Sequence, residues 1–132
     1  MIGILLATHG LFCEGIKESV EMVMGDSRKL RAIKLKQEDD VSEFKNALVR
    51  NVAELEDGDG VLVLLDVLGG SPYNMAASII QDHHVECVTG LNLPMLLEAL
   101  ECRESVGLKD LAARCMKAGT EGIIDVRQHL GI

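Results

Sequence analysis

Aromatic residues are almost absent from the chain: there is no tryptophan, one tyrosine and two phenylalanines among 132 residues. Apolar residues still account for 48% of the sequence, so the core must be built from aliphatic side chains. A chain of this length has the size of one domain and can bury roughly two-thirds of the surface that its unfolded form exposes. Because no repeat, linker or low-complexity stretch interrupts it, we predict a single domain over residues 1–132.

Basic residues are scarce. The chain has 13 Lys and Arg residues against 21 Asp and Glu residues, which gives a formal net charge of −8. Nucleic-acid binding depends on Lys and Arg clustered at the phosphates, so this balance argues against a nucleic-acid partner. It fits instead a protein that meets a basic partner surface.

Long hydrophobic runs are also missing. No segment approaches the ~20 apolar residues of a membrane-spanning helix. The first residues have no basic flank and do not resemble a signal peptide. The four cysteines form no CxxC pair. We therefore expect reduced thiols, no metal centre, no cofactor and a cytoplasmic location.

Strand-like and helix-like patterns alternate along the chain. Ile2–Ala7 and Val61–Leu65 are continuous apolar runs, typical of strands covered on both faces. Leu30–Leu35 is a mixed run that suits a strand nearer an edge, and Val85–Thr89 is a fourth short strand. Segments with helical spacing follow each of them. This alternation predicts an α/β fold with a doubly wound, mostly parallel sheet and helices on both faces.

Two helices carry more specific predictions. We expect the first helix to face the core with Phe12, Ile16, Val20, Val23 and Met24, which recur at helical spacing. We expect the last helix to run over residues 108–118 and to stop at a glycine. The segment 122–127 has the composition of a final short strand.

Two titratable residues follow two of the apolar strands. His9 ends the first strand and Asp66 ends the third. In open α/β sheets, ligands bind outside the carboxyl ends of the strands, where the strand order reverses. A histidine at a strand end is often only solvated. A carboxylate in the equivalent place favours chemistry instead, because it can hold one ring nitrogen and leave the other free as a nucleophile.

A third motif, Gly69-Gly70-Ser71-Pro72, follows Asp66. The glycines allow the backbone to approach a ligand, and we expect Ser71 to be the N-cap of a helix with proline in its first position. The free N–H groups of such a helix start suit a phosphate. The alternative is a merely well-capped helix. Together with His9 and Asp66, the motif points to phosphoryl transfer through a phosphohistidine.

Three further residues could take part in a functional site, but the sequence gives less support for them. His83 and His84 lie between a helix and a strand, where polar pairs usually cap or solvate, and we do not expect a metal site there. Cys13 lies close to His9 in the sequence, but a small buried apolar role is expected for it.

The sequence resembles the IIA component of the mannose-type sugar phosphotransferase system. The matching stretches are Ala7–Gly10, Asp66–Asn74 and Gly90–Glu98, and the similarity extends over essentially the whole chain. The resemblance implies that Nε2 of His9 accepts a phosphoryl group from the phosphocarrier HPr. It implies that Asp66 holds the other ring nitrogen, and that Ser71 lies beside the phosphate.

The resemblance also implies partners. A IIB component, expected here as a separate polypeptide, would accept the phosphoryl group, and the membrane components IIC and IID would be involved only indirectly. The short C-terminal strand would cross to a second subunit, pair antiparallel with its sheet and form a homodimer.

Two other functions remain open at this stage. His9, Asp66 and Ser71 include the residue types of a serine hydrolase, although Ser71 is not set in a G-x-S-x-G elbow. The same pocket could also belong to a non-catalytic, anion-binding regulatory domain.

Overall fold

The computed structural model describes all residues of the chain, Met1–Ile132. Its strands are β1 (Gly3–His9), β2 (Leu30–Leu35), β3 (Val61–Leu65) and β4 (Val85–Val88). Its helices are α1 (Phe12–Met24), α2 (Val41–Leu55), α3 (Ser71–Ile79), α4 (Leu93–Cys102), α5 (Leu108–Glu121) and α6 (Val126–Leu130). None of the helices has the length and hydrophobicity that a membrane crossing requires.

The strands form one parallel sheet in the order β2-β1-β3-β4. β1 pairs with both β2 and β3, so the strand order reverses between β1 and β3. The predicted α/β fold with a parallel sheet is therefore confirmed. β2 lies at an edge of the sheet, as its mixed composition indicated.

Helices cover both faces of the sheet, and each face has its own hydrophobic cluster. Side chains of α1, α4 and α5 pack on one face against Ile4, Leu6, Leu62 and Leu64. Side chains of α2 and α3 pack on the other face, against the alternate residues of β1 and β3. Because successive strand residues point to opposite faces, the apolar runs of β1 and β3 supply both clusters.

The prediction for the buried face of α1 is wrong for most of its residues. Cys13 and Val20 are buried, whereas Phe12, Val23 and Met24 are exposed. The cause lies at the start of the helix, where the hydroxyl of Thr8 accepts the backbone N–H of Cys13 at 3.0 Å. This bond turns Cys13 toward the sheet and leaves the larger apolar residues outside.

The C-terminal segment does not form the predicted strand. Residues 123–125 have no regular structure, and α6 follows them. The side chain of Asp125 caps this helix by accepting the N–H of Gln128 at 3.0 Å. In the single chain no strand edge pairs with the segment, so its backbone makes local helical hydrogen bonds instead. Exchange of the segment with a second subunit stays a prediction.

The end of α5 also differs from the prediction. The helix continues through Gly119 and ends at Glu121. A Cβ atom on Gly119 would lie 3.0 Å from Cε of Met95 and 3.3 Å from Oδ1 of Asn92. Gly119 is therefore a position where α5 approaches α4 closely, and its glycine serves packing rather than helix termination.

Candidate functional site

The candidate site lies at the carboxyl ends of β1 and β3. The register pairs Ala7 of β1 with Leu65 of β3, so His9 and Asp66 both follow within two residues of a paired position. These two strands flank the point where the strand order reverses, which is the usual ligand position in such sheets. The structure thus brings together the two residues that the sequence singled out.

His9 and Asp66 are joined by two hydrogen bonds to one carboxylate oxygen. Nδ1 of His9 lies 2.8 Å from Oδ2 of Asp66, and the backbone N–H of His9 donates to the same Oδ2 at 2.9 Å. The other oxygen, Oδ1, accepts the N–H of Val67 at 2.9 Å. The carboxylate is therefore fixed from both sides, and the ring is fixed to the carboxylate.

Burial alone would raise the pKa of Asp66, but the N–H of His9, the His9 ring and the N–H of Val67 together lower this pKa below its usual value. An ionised carboxylate is only an acceptor, so Nδ1 must carry the proton that it shares with Asp66. The second ring nitrogen, Nε2, then has a free lone pair. The side chain of His9 is 49% exposed and that of Asp66 is 14% exposed, so solvent reaches the histidine side chain.

The start of α3 lies against the imidazole. A Cβ atom on Gly70 would lie 2.6 Å from Cε1 and 3.1 Å from Nε2 of His9, so only glycine leaves room for the ring in this position. The N–H groups of Ser71 and Tyr73 have no acceptor within the chain. Together with the positive end of the helix dipole, they make the space around Nε2 suitable for an anion.

Ser71 does not have the role that the sequence suggested. The N-cap of α3 is Gly70, and Ser71 occupies the first helical position, ahead of Pro72. The hydroxyl of Ser71 makes no capping hydrogen bond and none to His9. It lines the same cavity as His9 and stays free to bind a ligand. Gly69, with a φ of 88°, supplies the turn into the helix.

Thr8 is a supporting residue that sequence reasoning missed. It is fully buried, and its hydroxyl accepts the N–H of Cys13, which fixes the Gly10–Leu11 turn directly after His9. The sulfur of Cys13 lies 3.4 Å from the carbonyl oxygen of Ile33 and is buried. Cys13 is therefore a packing residue, as expected. The sequence feature that could have indicated the role of Thr8 is the presence of a polar threonine at the end of an apolar strand.

Exposed apolar side chains follow the ends of both β1 and β3. Leu11 and Phe12 follow β1 and are 66% and 48% exposed, while Val67 and Leu68 follow β3 and are 53% and 75% exposed. We call these four residues the apolar rim. Large apolar side chains concentrated around a reactive group are typical of a protein-binding surface.

Two of the three remaining histidines, His83 and His84, have structural partners. Nδ1 of His83 lies 3.1 Å from the carbonyl oxygen of Ile79, and Nδ1 of His84 lies 3.0 Å from Glu56. No group of three or more His, Cys, Asp or Glu side chains is arranged to hold a metal ion.

These features define the class of the protein: a doubly wound α/β domain with a carboxylate-held histidine at its switch point. The family model described as "PTS system fructose IIA component" matches residues 3–116. The chain belongs to this family, the mannose-type IIA components of the sugar phosphotransferase system.

Individual relatives agree with this assignment. The PTS system fructose-specific EIIA component of Bacillus subtilis (strain 168) is 36% identical over 98% of this chain and 90% of its own length. The PTS system mannose-specific EIIAB component of Escherichia coli (strain K12) is 32% identical over 92% of this chain, which spans 38% of that protein. The crystal structure of phosphotransferase system component EIIA from Streptococcus agalactiae has a TM-score of 0.89, with 32% identity over 97% of this chain and 99% of that one.

Proposed function

We propose that the chain is a cytoplasmic phosphocarrier that accepts a phosphoryl group from HPr on Nε2 of His9 and passes it to a IIB component. The observation that supports this most is the geometry of His9, whose Nδ1 lies 2.8 Å from Asp66 on a side chain that is 49% exposed. Membership of the IIA family supports the donor and the acceptor.

The proposed chemistry needs no cofactor. The lone pair on Nε2 attacks phosphorus, and the bond from phosphorus to the donor atom breaks with its electron pair remaining on the donor. The product ring carries a proton on Nδ1 and a phosphoryl group on Nε2, and is therefore positively charged. The ionised Asp66 stabilises this charge across the 2.8 Å hydrogen bond. Transfer to the acceptor reverses the same steps.

The phosphoryl oxygens would lie at the start of α3. Backbone N–H groups of Ser71 and Tyr73 donate there, and the free hydroxyl of Ser71 adds a third donor. Gly69 and Gly70 allow this backbone to approach the phosphate because neither carries a side chain. Charge in the transition state is spread over the three phosphoryl oxygens, and fixed donors of this kind stabilise it.

The apolar rim is the surface that we assign to HPr and to the IIB component. Both partners must reach the same Nε2 atom in turn, and the rim residues follow the ends of the two strands that lead to His9 and Asp66. The net charge of −8 fits partners with basic contact surfaces, because opposite charges steer the encounter.

Phosphorylation by HPr tests this proposal directly. The chain is incubated with phosphorylated HPr, and the modified residue is located by mass spectrometry. We expect one acid-labile, base-stable phosphate on His9, none in His9→Gln, and full labelling of His129→Gln, which changes an exposed histidine on α6. Undiminished labelling of His9→Gln would contradict the proposal. An unlabelled wild-type chain would favour a passive anion-binding domain.

The structure gives little support to a serine hydrolase. In such a triad the histidine must reach the serine hydroxyl, whereas no hydrogen bond joins Ser71 to His9. Ester turnover that disappears in Ser71→Ala would revive this alternative. For a phosphocarrier, Ser71→Ala should slow transfer only modestly, because the backbone donors of α3 remain.

A further inference from the structure

A cavity of about 480 Å³ opens beside His9 on the β2 side of the site. His9 pairs with Leu35, the last residue of β2, and the N–H of Gly10 donates to the carbonyl oxygen of Leu35 at 2.8 Å. The segment that follows β2 therefore lies directly against the end of β1. It supplies Lys36 to the same cavity that His9 and Ser71 line.

The ammonium group of Lys36 has no carboxylate partner. The neighbouring lysine of β2 does: Lys34 pairs with Glu14 at 2.7 Å. No ion pair joins Lys36 to any acidic group within 4.0 Å. Lys36 thus carries a positive charge without an ion-pair partner at the edge of the candidate site.

The backbone around Lys36 is held in place. Its N–H donates to Oδ2 of Asp39 at 2.7 Å, and the N–H of Asp39 donates to the carbonyl oxygen of Lys36 at 3.1 Å. The carboxylate of Asp39 is therefore hydrogen-bonded to the backbone. The turn holds the backbone of Lys36 beside the cavity, and the ammonium group of Lys36 makes no ion pair.

The electrostatics of the site call for a cation. A bound phosphoryl group adds about two negative charges near neutral pH. The positive charge of the phosphorylated ring balances that of Asp66, but a second carboxylate, Asp39, lines the cavity. Lys36 is the basic side chain among the residues that line this cavity. The neutral N–H donors of α3 offset only part of the negative charge.

We propose that the ammonium group of Lys36 binds the phosphoryl group carried by His9. This inference rests on the proposed phosphocarrier function and adds a residue to it. Lys36 acts as a point charge on a flexible stem, which suits a group that arrives on one protein and leaves on another. Because the side chain is exposed, salt should weaken the contact.

The test compares Lys36→Gln with Lys34→Gln, which removes the same charge two residues away on the same edge, and with the conservative Lys36→Arg. The equilibrium distribution of the phosphoryl group between HPr and each variant is measured at low salt and at 1 M salt. We expect Lys36→Gln to shift it toward HPr by about fivefold at low salt, the size of a contact between exposed charges. The shift should vanish at 1 M salt, where the Debye length is about 3 Å. Lys34→Gln and Lys36→Arg should stay within twofold of the wild type.

Two outcomes would overturn the proposal. One is an equilibrium that Lys36→Gln leaves unchanged, or that Lys34→Gln shifts equally. The other is a slower transfer rate with an unchanged equilibrium, which would mean that Lys36 contacts the donor protein rather than the phosphoryl group.

A second measurement separates this inference from the phosphocarrier function. The chain is phosphorylated with phosphoramidate, a small-molecule donor, and the ³¹P resonance of the product is recorded. A change in this resonance in Lys36→Gln but not in Lys34→Gln supports the contact even if HPr fails to phosphorylate the chain. Labelling by HPr together with identical ³¹P spectra would leave the phosphocarrier function intact and refute the role of Lys36.

Discussion

Gly70 and His9 are packed so closely that a methyl group on Gly70 would lie 2.6 Å from Cε1 of the imidazole. The backbone at Gly70 has φ −82° and ψ 175°, which any residue can adopt. Alanine is therefore excluded there by the ring and not by the main chain. The pair fixes the distance between the nucleophile and the N–H groups of α3.

Gly70→Ala should move the imidazole away from α3 and reduce phosphorylation by about 100-fold, because small displacements of reacting groups are costly. Gly15→Ala is the matched control, since a Cβ atom there meets nothing within 4 Å. Labelling by phosphorylated HPr measures the reaction, and circular dichroism checks that both variants fold. Equal labelling of the two variants would show that the contact has no functional importance.

Asp66→Asn should slow transfer by about 10²-fold, since an amide cannot balance a positive ring. It should also destabilise the fold by about 1–3 kcal/mol, because an amide has one acceptor oxygen and leaves the N–H of either His9 or Val67 unpaired. Rapid-quench phosphorylation gives the rate, and urea unfolding gives the stability. A transfer rate equal to that of the wild type would remove Asp66 from the mechanism.

The stability of the protein should depend on Asp66 at acid pH. The pKa of Asp66 is lower in the folded chain than its unfolded value of about 3.9. Its contribution is therefore fully present above pH ~4 and is lost as the pH falls through the folded pKa. The difference in unfolding free energy between wild type and Asp66→Asn should shrink below pH ~4. Asp26→Asn, in the exposed segment after α1, is the control.

Leu68→Ser should weaken transfer from HPr by about tenfold at limiting donor concentration while leaving the fold intact, because Leu68 is 75% exposed in the apolar rim. Met22→Ser is the matched control, since Met22 is 83% exposed near the far end of α1. Labelling by phosphoramidate, which needs no docking, should be the same for both. A loss that is also seen with phosphoramidate would place Leu68 in the chemistry rather than in docking.

Deleting residues 123–132 should convert a homodimer into a monomer. Ile123, Ile124, Val126, Leu130 and Ile132 are all more than half exposed in the single chain, as expected of a segment that a second subunit would cover. The deletion begins after Gly122 so that α5 keeps its full length. Sedimentation at micromolar concentration measures the assembly. A monomeric full-length chain would refute the exchange and leave the chemistry of His9 unaffected.

The sequence was most informative where a pattern reports a local preference. The apolar runs of β1 and β3 predicted buried parallel strands, and the polar residues that end them predicted the site. His9 and Asp66 could be paired because parallel strands align their carboxyl ends at one edge of the sheet.

Predictions from the sequence were wrong where tertiary contacts determine the local structure. The buried face of α1 depends on the bond between Thr8 and Cys13, and no helical pattern reports that bond. Gly119 looked like a helix stop because its packing against Met95 is invisible in the sequence. Segment 122–127 has the composition of a strand, but in the single chain it pairs with neither edge strand of the sheet, β2 or β4.

The exposure of His9 affects how long a phosphoryl group bound there would last. A ring that is 49% exposed can be reached by large partners without any gate, and water reaches it equally well. The proposed transfer would therefore need no lid to open before a partner could reach the ring. For the proposed phosphocarrier, the same exposure would leave the phosphorylated form open to spontaneous hydrolysis, so an acceptor would have to arrive before water reacts. In such a carrier, the concentration of the acceptor, and not a conformational change, would determine what fraction of the phosphoryl groups is transferred and what fraction is lost to hydrolysis.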